Sequence, residues 1–365
     1  MKKMQKTDRT LVVITIFFLL AGCLLLSLFP APRFSPQENR NLASFPAFTA
    51  EAAASGRYTA ALDAYATERF PARVALRQAR AWLQIATGRQ EAGGVLLCRD
   101  GSLARRMTVN ERAYAQNLTA LQRMYSDCKD RLTVAVVHRR IDARQDVLPP
   151  LYDVSENKAV WDTLTAELPT AILFPTLTDD AHWYRTDHHW TSAGAYAAYC
   201  ALGDALGYIP LPESAFTVET VSTNFYGTSH AAAGIPLVAP DRIELYRFTG
   251  EDAYTVKRDG SPAPFTDFYD FEKLQTRDQY AVFLGGNCGV LEIVPPSLRP
   301  KLLVVKDSFA NALLPFLAQH YTVTAVDPRY CSERISDLAS AADQTLVLCG
   351  MQTLCESPVF RTGMG

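Results

Sequence analysis

Leu302-Leu-Val-Val-Lys-Asp-Ser-Phe309 is a run of apolar residues that ends in polar ones just where a helix begins. An uninterrupted apolar run of this length is a strand covered on both faces. Similar runs recur at Leu132-Thr-Val-Ala-Val-Val137, Ile172 to Phe174, Thr322 to Val326 and Leu346 to Leu348. Helical stretches at Asn110 to Ser126, Asn157 to Glu167, Ser192 to Leu206, Ala310 to His320 and Ser332 to Ala342 separate several of them. Alternating buried strands and helices predict an α/β domain of three layers, a mostly parallel sheet with helices on both faces.

From about residue 214 to 294 the texture changes to short strands and turns (IELYRF, AYTVKRDG, YAVFLGG), which predicts a β-rich insertion without helices. Asp100-Gly101 between two short apolar runs predicts a hairpin over Gly93 to Arg106. Glu51 to Thr87 has apolar residues at helical spacing, one or two helices broken near Phe70-Pro71. Residues 30–50 show no period and read as a tether, so the folded domain is expected over 51–365.

Leu11 to Phe29 carries no charge and, at about 1.5 Å per helical residue, can cover the hydrocarbon core of a bilayer. Lys2, Lys3, Lys6 and Arg9 precede it, which keeps a tail of residues 1–10 in the cytoplasm. The expected protein is therefore single-pass at the cell membrane, with its C-terminal domain extracytoplasmic. Leu20-Ala21-Gly22-Cys23 offers a second form, a lipoprotein held through Cys23, although the apolar run continues past that cysteine. The other seven of the eight cysteines have no CxxC spacing, and no specific disulfide is predicted.

The 365 residues, 48% hydrophobic and 20% charged, exclude disordered, collagenous and multi-span classes. A net charge of -2 leaves no positive excess for a phosphate backbone, so nucleic acid is not an expected partner.

Chemistry concentrates in two places. In His182-Trp-Tyr-Arg-Thr-Asp-His-His-Trp-Thr191, residues i and i+2 of an extended loop share a side, so Asp187 can bond His189 Nδ1 and leave Nε2 free. Ser308 sits at the carboxyl edge of a parallel sheet, beside outward-pointing amides of the following helix that suit a developing oxyanion. Ser308 is thus the candidate nucleophile, His189 its base and Asp187 the group that fixes the tautomer. Each also has an ordinary reading: Ser308 as an N-cap, Asp187 and His189 as braces for the helix near Thr191, and the tryptophans as core.

Tyr184-Arg-Thr-Asp-His-His-Trp-Thr-x-x-Gly-Ala195 resembles the signature of the bacterial DHHW protein family. Glu38-Asn-Arg-Asn-Leu42, Phe225-Tyr-Gly-Thr228, Phe283-Leu-Gly-Gly-Asn287, Lys306-Asp-Ser308 and Val326-Asp-Pro-Arg-Tyr330 support it. That family is similar to the alginate O-acetyltransferases of the SGNH-hydrolase superfamily, in which an Asp-x-His-Trp motif precedes the nucleophilic serine. The resemblance implies an SGNH-like fold and an O-acetyltransferase or esterase acting on a cell-surface polysaccharide, with an integral-membrane acyltransferase as a possible partner. It implies Gly286 and Asn287 as oxyanion candidates, while Arg185, Tyr184 and Tyr226 are candidates for substrate binding. The mechanism requires no metal or organic cofactor.

Two rival readings stay open. Asp187, His188 and His189 are also the ligand types of a metal-dependent phosphoesterase, with His182 or the His138 and Asp142 pair as supplements. Alternatively, a non-catalytic glycan-binding or assembly protein would use Trp183, Trp190, Tyr184, Phe225 and Tyr226 for stacking.

Overall fold

The apolar runs at residues 132–137, 302–305, 322–326 and 346–348 join one six-stranded sheet in the computed structural model. The structure describes residues 6–28, 33–35, 40–70, 72–150, 152, 155–250, 253–261 and 263–360. In chain order the strands are β1 (Leu132–Val137), β2 (Thr255–Arg258), β3 (Val290–Val294), β4 (Lys301–Lys306), β5 (Thr322–Val326) and β6 (Gln344–Gly350). Their spatial order is β1-β6-β4-β5-β3-β2.

The first four strands in that order run parallel, whereas β3 is antiparallel to β5 and β2 to β3. The sheet is mixed, which corrects the expectation of a mostly parallel one. The expected insertion returns two strands to the sheet edge instead of remaining a separate excursion. Burial explains why they differ: β4 is covered on both faces after its first residue, while β3 alternates buried and exposed, as an antiparallel strand with one wet face does. Ile172 to Phe174 forms only a single bridge, Ile172 to Ala135. The left-handed φ of 48° at Phe174 turns the chain away before a strand can grow.

Alternate residues of the central strands feed two apolar clusters. Val304 and Leu302 of β4 pack on one side with Ala198, Tyr199 and Leu202 of the helix Ser192–Leu206. Leu303 and Val305 pack on the other with Leu118 and Leu121 of the helix Glu111–Cys128 and Leu164 of the helix Ser155–Glu167. Each fully buried aliphatic side chain here contributes about 1.5–3 kcal/mol. A charged residue at Val304 would break both the strand and its cluster.

The helix expected from Ala310 to His320 divides into a 3-10 turn, Ser308–Ala312, and a short helix, Leu314–Leu317. Pro315 lacks the N–H that a continuous helix would require and crowds the carbonyl four residues back. Within the insertion, Phe216–Phe225 pairs antiparallel with Asp241–Phe248. Between those strands lies a helix that the sequence reading did not foresee, Thr228–Ala233. The hairpin at Asp100-Gly101 forms as expected, pairing Leu97 with Leu103.

The chain divides into two compact units, Met1–Gly88 with Gly234–Pro236, and Arg89–Ala233 with Leu237–Gly365. In the first, Ala50–Ala54, Arg57–Arg69 and Arg73–Ala86 are helical. The expected tether is not bare: Arg69 Nε donates to the Ala43 carbonyl at 3.0 Å, and the Phe45 ring meets Tyr65 at 5.3 Å. Residues 36–39, part of the Glu38 to Leu42 motif, lie outside the described residues.

Residues Lys6–Leu28 form a helix. Among the described residues, however, no helix is long and apolar enough to cross a membrane. The expected span at residues 11–29 is therefore not supported by the structure.

Candidate active site

Ser308 follows the carboxyl end of β4, which is interior to the sheet. Asp307 before it is an N-cap, not a triad member. Its Oδ1 accepts from the Phe309 amide at 2.9 Å, and its Oδ2 accepts from the Gly350 amide at 2.8 Å and Thr353 Oγ1 at 2.6 Å. Gly350 is needed for that approach, since a Cβ there would lie 2.7 Å from the Phe309 ring. Lys306 is buried and donates to Asn311 Oδ1 at 2.7 Å. Burial pushes its ammonium down, partly offset by the Asp327 charge.

The histidine loop folds back through a bridge between Trp183 and Trp190. Both indoles are buried, and Trp190 Nε1 donates to the Phe309 carbonyl at 2.9 Å, tying this loop to the serine turn. Asp241, far away in sequence, holds the near side of the loop. It accepts from the amides of Arg185 and Thr186 at 2.8 Å each and from Thr186 Oγ1 at 2.6 Å. Burial pushes the Asp241 carboxyl up against the pull of those donors.

The two loops bring Asp187, His189 and Ser308 into one line. Asp187 Oδ1 lies 2.5 Å from His189 Nδ1, and His189 Nε2 lies 2.7 Å from Ser308 Oγ. A carboxylate only accepts, so Nδ1 carries the proton and Nε2 is left to accept from the serine hydroxyl. Asp187 Oδ2 accepts from the Thr228 amide at 2.6 Å and Thr228 Oγ1 at 2.9 Å. Gly227 makes this possible, because a Cβ there would stand 2.2 Å from Asp187 Oδ2.

Burial alone would push the Asp187 carboxyl up. The charges of His189 and His188 and these hydrogen bonds outweigh it and hold the group well below the usual carboxylate range. His188 is pushed down to about 4, by burial first and then by His189. Its Nδ1 meets Thr228 Oγ1 at 2.6 Å, so it braces the same threonine. Tyr280 stacks on the His189 ring at 3.9 Å between centroids and 8° between planes. Burial pushes its phenol well up, keeping it a neutral donor, and its hydroxyl reaches the Ser308 carbonyl at 3.4 Å.

The remaining candidates separate. Tyr184 is buried in the core, edge-on to Phe225 at 5.1 Å, so it offers no substrate surface. Arg185 is exposed, with its guanidinium tied to the Asp100 carbonyl. Tyr226 is partly exposed, beside His230 and Arg277. Gly286 has a left-handed φ of 89°, and its amide is committed to the Phe283 carbonyl at 3.1 Å, which removes it as an oxyanion donor. Asn287 Oδ1 accepts from Asn311 Nδ2 at 3.1 Å, which leaves its own Nδ2 as the donor end. Arg258 pins this turn through the carbonyls of Gly285 and Asn287.

Neither rival gains from these contacts. One potential ligand atom each from Asp187, His188 and His189 lies within 4.8 Å of the others. Yet the inner atoms already pair with one another, with Thr228 and with Ser308. Two of the three expected supplements point elsewhere, His138 at the carbonyls of Arg139 and Phe174, and Asp142 at Arg139. Of the expected stacking residues, Trp183, Trp190, Tyr184 and Phe225 are buried, which leaves Tyr226. Asp241, Tyr280 and Thr228 were not singled out as site residues from sequence, although Thr228 stood in a family motif and Tyr280 opened the YAVFLGG stretch.

The Asp-His-His-Trp loop and its serine partner lie inside one stretch that answers to a known pattern. Residues 172–326 match the DHHW protein family. The DHHW segment holds the histidine loop, the insertion, β4 and the serine turn. A DHHW family protein from Eubacterium siraeum is similar in structure over 75% of this chain and 97% of its own, at 20% identity and a TM-score of 0.63. PatB1 of Bacillus cereus, solved with a sulfonyl adduct, is similar over 73% and 99%, at 18% identity and 0.59. The O-acetyltransferase domain of Pseudomonas putida AlgJ follows over 72% and 92%, at 16% and 0.44, too distant to carry an argument. Identities this low establish a shared α/β fold alone. No curated protein matches the chain.

Proposed function

We propose that this DHHW protein is a serine-dependent acyl-ester enzyme of the SGNH type, an O-acetyltransferase or esterase acting on a cell-surface polysaccharide. The observation that carries the reading is the continuous line from Asp187 through His189 to Ser308, at 2.5 and 2.7 Å. Ser308 Oγ attacks the acyl carbonyl as His189 Nε2 takes its proton, and Asp187 stabilises the imidazolium. The Asn287 amide is the candidate donor to the oxyanion. His189 then protonates the leaving oxygen, and the acyl group stays on Ser308. A sugar hydroxyl or water, deprotonated by the same nitrogen, attacks the acyl-serine and completes transfer or hydrolysis.

The proposal places the domain outside the cell, held at the membrane through residues 11–29, with an integral-membrane acyltransferase supplying acyl groups. The charge pattern around that segment supports this placement.

The test is turnover of a chromogenic acetyl ester by the full chain. Ser308→Ala and His189→Ala should each lower kcat by about 10³-fold or more. A sulfonyl fluoride or serine-directed phosphonate should add one covalent group to the wild type and none to Ser308→Ala; the sulfonyl adduct recorded for PatB1 motivates the choice of reagent. Turnover that survives in Ser308→Ala would overturn the reading.

A further inference from the structure

Several arginines of the same unit face carboxylates. Arg139 faces Asp142, Arg140 faces Asp100 and Asp180, Arg247 faces Glu219 and Asp267, and Arg329 faces Asp327. Arg277 has no carboxylate partner among the described residues. Its Nη2 donates to His230 Nδ1 at 3.2 Å, and its guanidinium lies 5.8 Å over the Tyr226 ring. Its Nε is buried with no hydrogen-bond partner. Burial pushes this guanidinium down, and Tyr226 counters it. A partly desolvated cation with an unused donor edge is costly unless an anion joins it.

The location says where that anion belongs. Tyr226 and His230 flank Gly227-Thr228, the pair whose backbone and hydroxyl hold Asp187. Tyr280, three residues beyond Arg277, stacks on His189. The guanidinium is thus tied to the same two segments that frame the base.

We propose that Arg277, with Tyr226 beside it, is a subsite for an anionic group, a carboxylate or phosphate on the sugar that presents its hydroxyl or ester to Ser308. This names the substrate class and rests on the acyl-ester reading. The guanidinium fork suits either oxyanion in a bidentate contact, and the partly exposed Tyr226 lies beside it.

The experiment uses the full chain carrying Ser308→Ala, so that nothing turns over. Binding of glucuronate, glucose 6-phosphate and glucose is titrated by calorimetry or ligand-observed NMR. At least one anionic sugar should bind about fivefold or more tightly than glucose, with the preference shrinking as salt rises. Arg277→Gln on the same background should abolish the preference, and Arg277→Lys should restore part of it. Preference for glucuronate alone assigns a carboxylate, and for glucose 6-phosphate alone a phosphate. Equal binding of all three, no binding, or a preference that survives Arg277→Gln overturns the subsite. Ester turnover in the parent chain that ignores Ser308 would overturn the acyl-ester reading separately, through a different measurement.

Discussion

The serine turn and the histidine loop meet within 2.7 Å, yet they are held by different means. The turn leaves a strand interior to the sheet, and its cap Asp307 bonds to the Phe309 and Gly350 amides and Thr353. Its position is a property of sheet packing. The loop has one backbone bridge of its own, and its shape is set by two buried carboxylates: Asp241 holds its near side and Asp187 its far side. Backbone packing places the hydroxyl, whereas side-chain hydrogen bonds place the base. Changes to the loop's carboxylates should therefore register in catalysis as well as in stability, and changes to the turn's cap mainly in stability.

Asp187→Asn should show the largest effect. The amide keeps the volume but can no longer serve as a charged acceptor for both Nδ1 and Thr228. Steady-state kinetics on an acetyl ester should show kcat lower by about 10³-fold, with the melting temperature within a few degrees of wild type. Asp241→Ala removes the acceptor of the Arg185 and Thr186 amides and of Thr186 Oγ1. Urea unfolding should show a loss of about 2–4 kcal/mol, accompanied by a fall in kcat as the loop drifts. Asp307→Ala, the matching change on the turn, should cost about 1–3 kcal/mol in stability with a smaller fall in kcat per unit of stability lost. A large kinetic defect in Asp307→Ala at unchanged stability would break the contrast.

The smallest effect concerns pH. His188 ordinarily titrates at 6.5 and is pushed down to about 4 in the fold. Above pH 6.5 it is neutral folded or unfolded and contributes nothing. As pH falls from 6.5 towards 4, the unfolded chain takes up a proton that the folded chain refuses, so stability declines across that window. Asp187 does not blur the result, because its contribution is lost only below its ordinary value of 3.8. His188→Gln should therefore lose less stability than wild type between pH 6.5 and 4, as read by melting temperature.

The serine turn was legible because its determinants are local: an apolar run, a cap and a nucleophile in consecutive positions. Asp187 and His189 were legible for the same reason, at a spacing of two. Asp241 was not, since nothing in its surroundings marks a carboxylate that reaches back to Thr186. Tyr280 stood in an apolar stretch that reads as strand and forms a 3-10 turn. Tyr184 misled because a motif tyrosine beside an active loop looks like a contact, while its ring fills the core. The edge strands were misassigned to a separate insertion because alternation reveals a wet face but not which sheet a strand will join.

β2 and β3 lie side by side and antiparallel, and the residues between them include Arg277, Tyr280 and Asn287. A segment stitched at both ends to one edge cannot swing away like a flap hinged at a single point. A crosslink joining the two ends of this segment, already held side by side, should leave turnover unhindered.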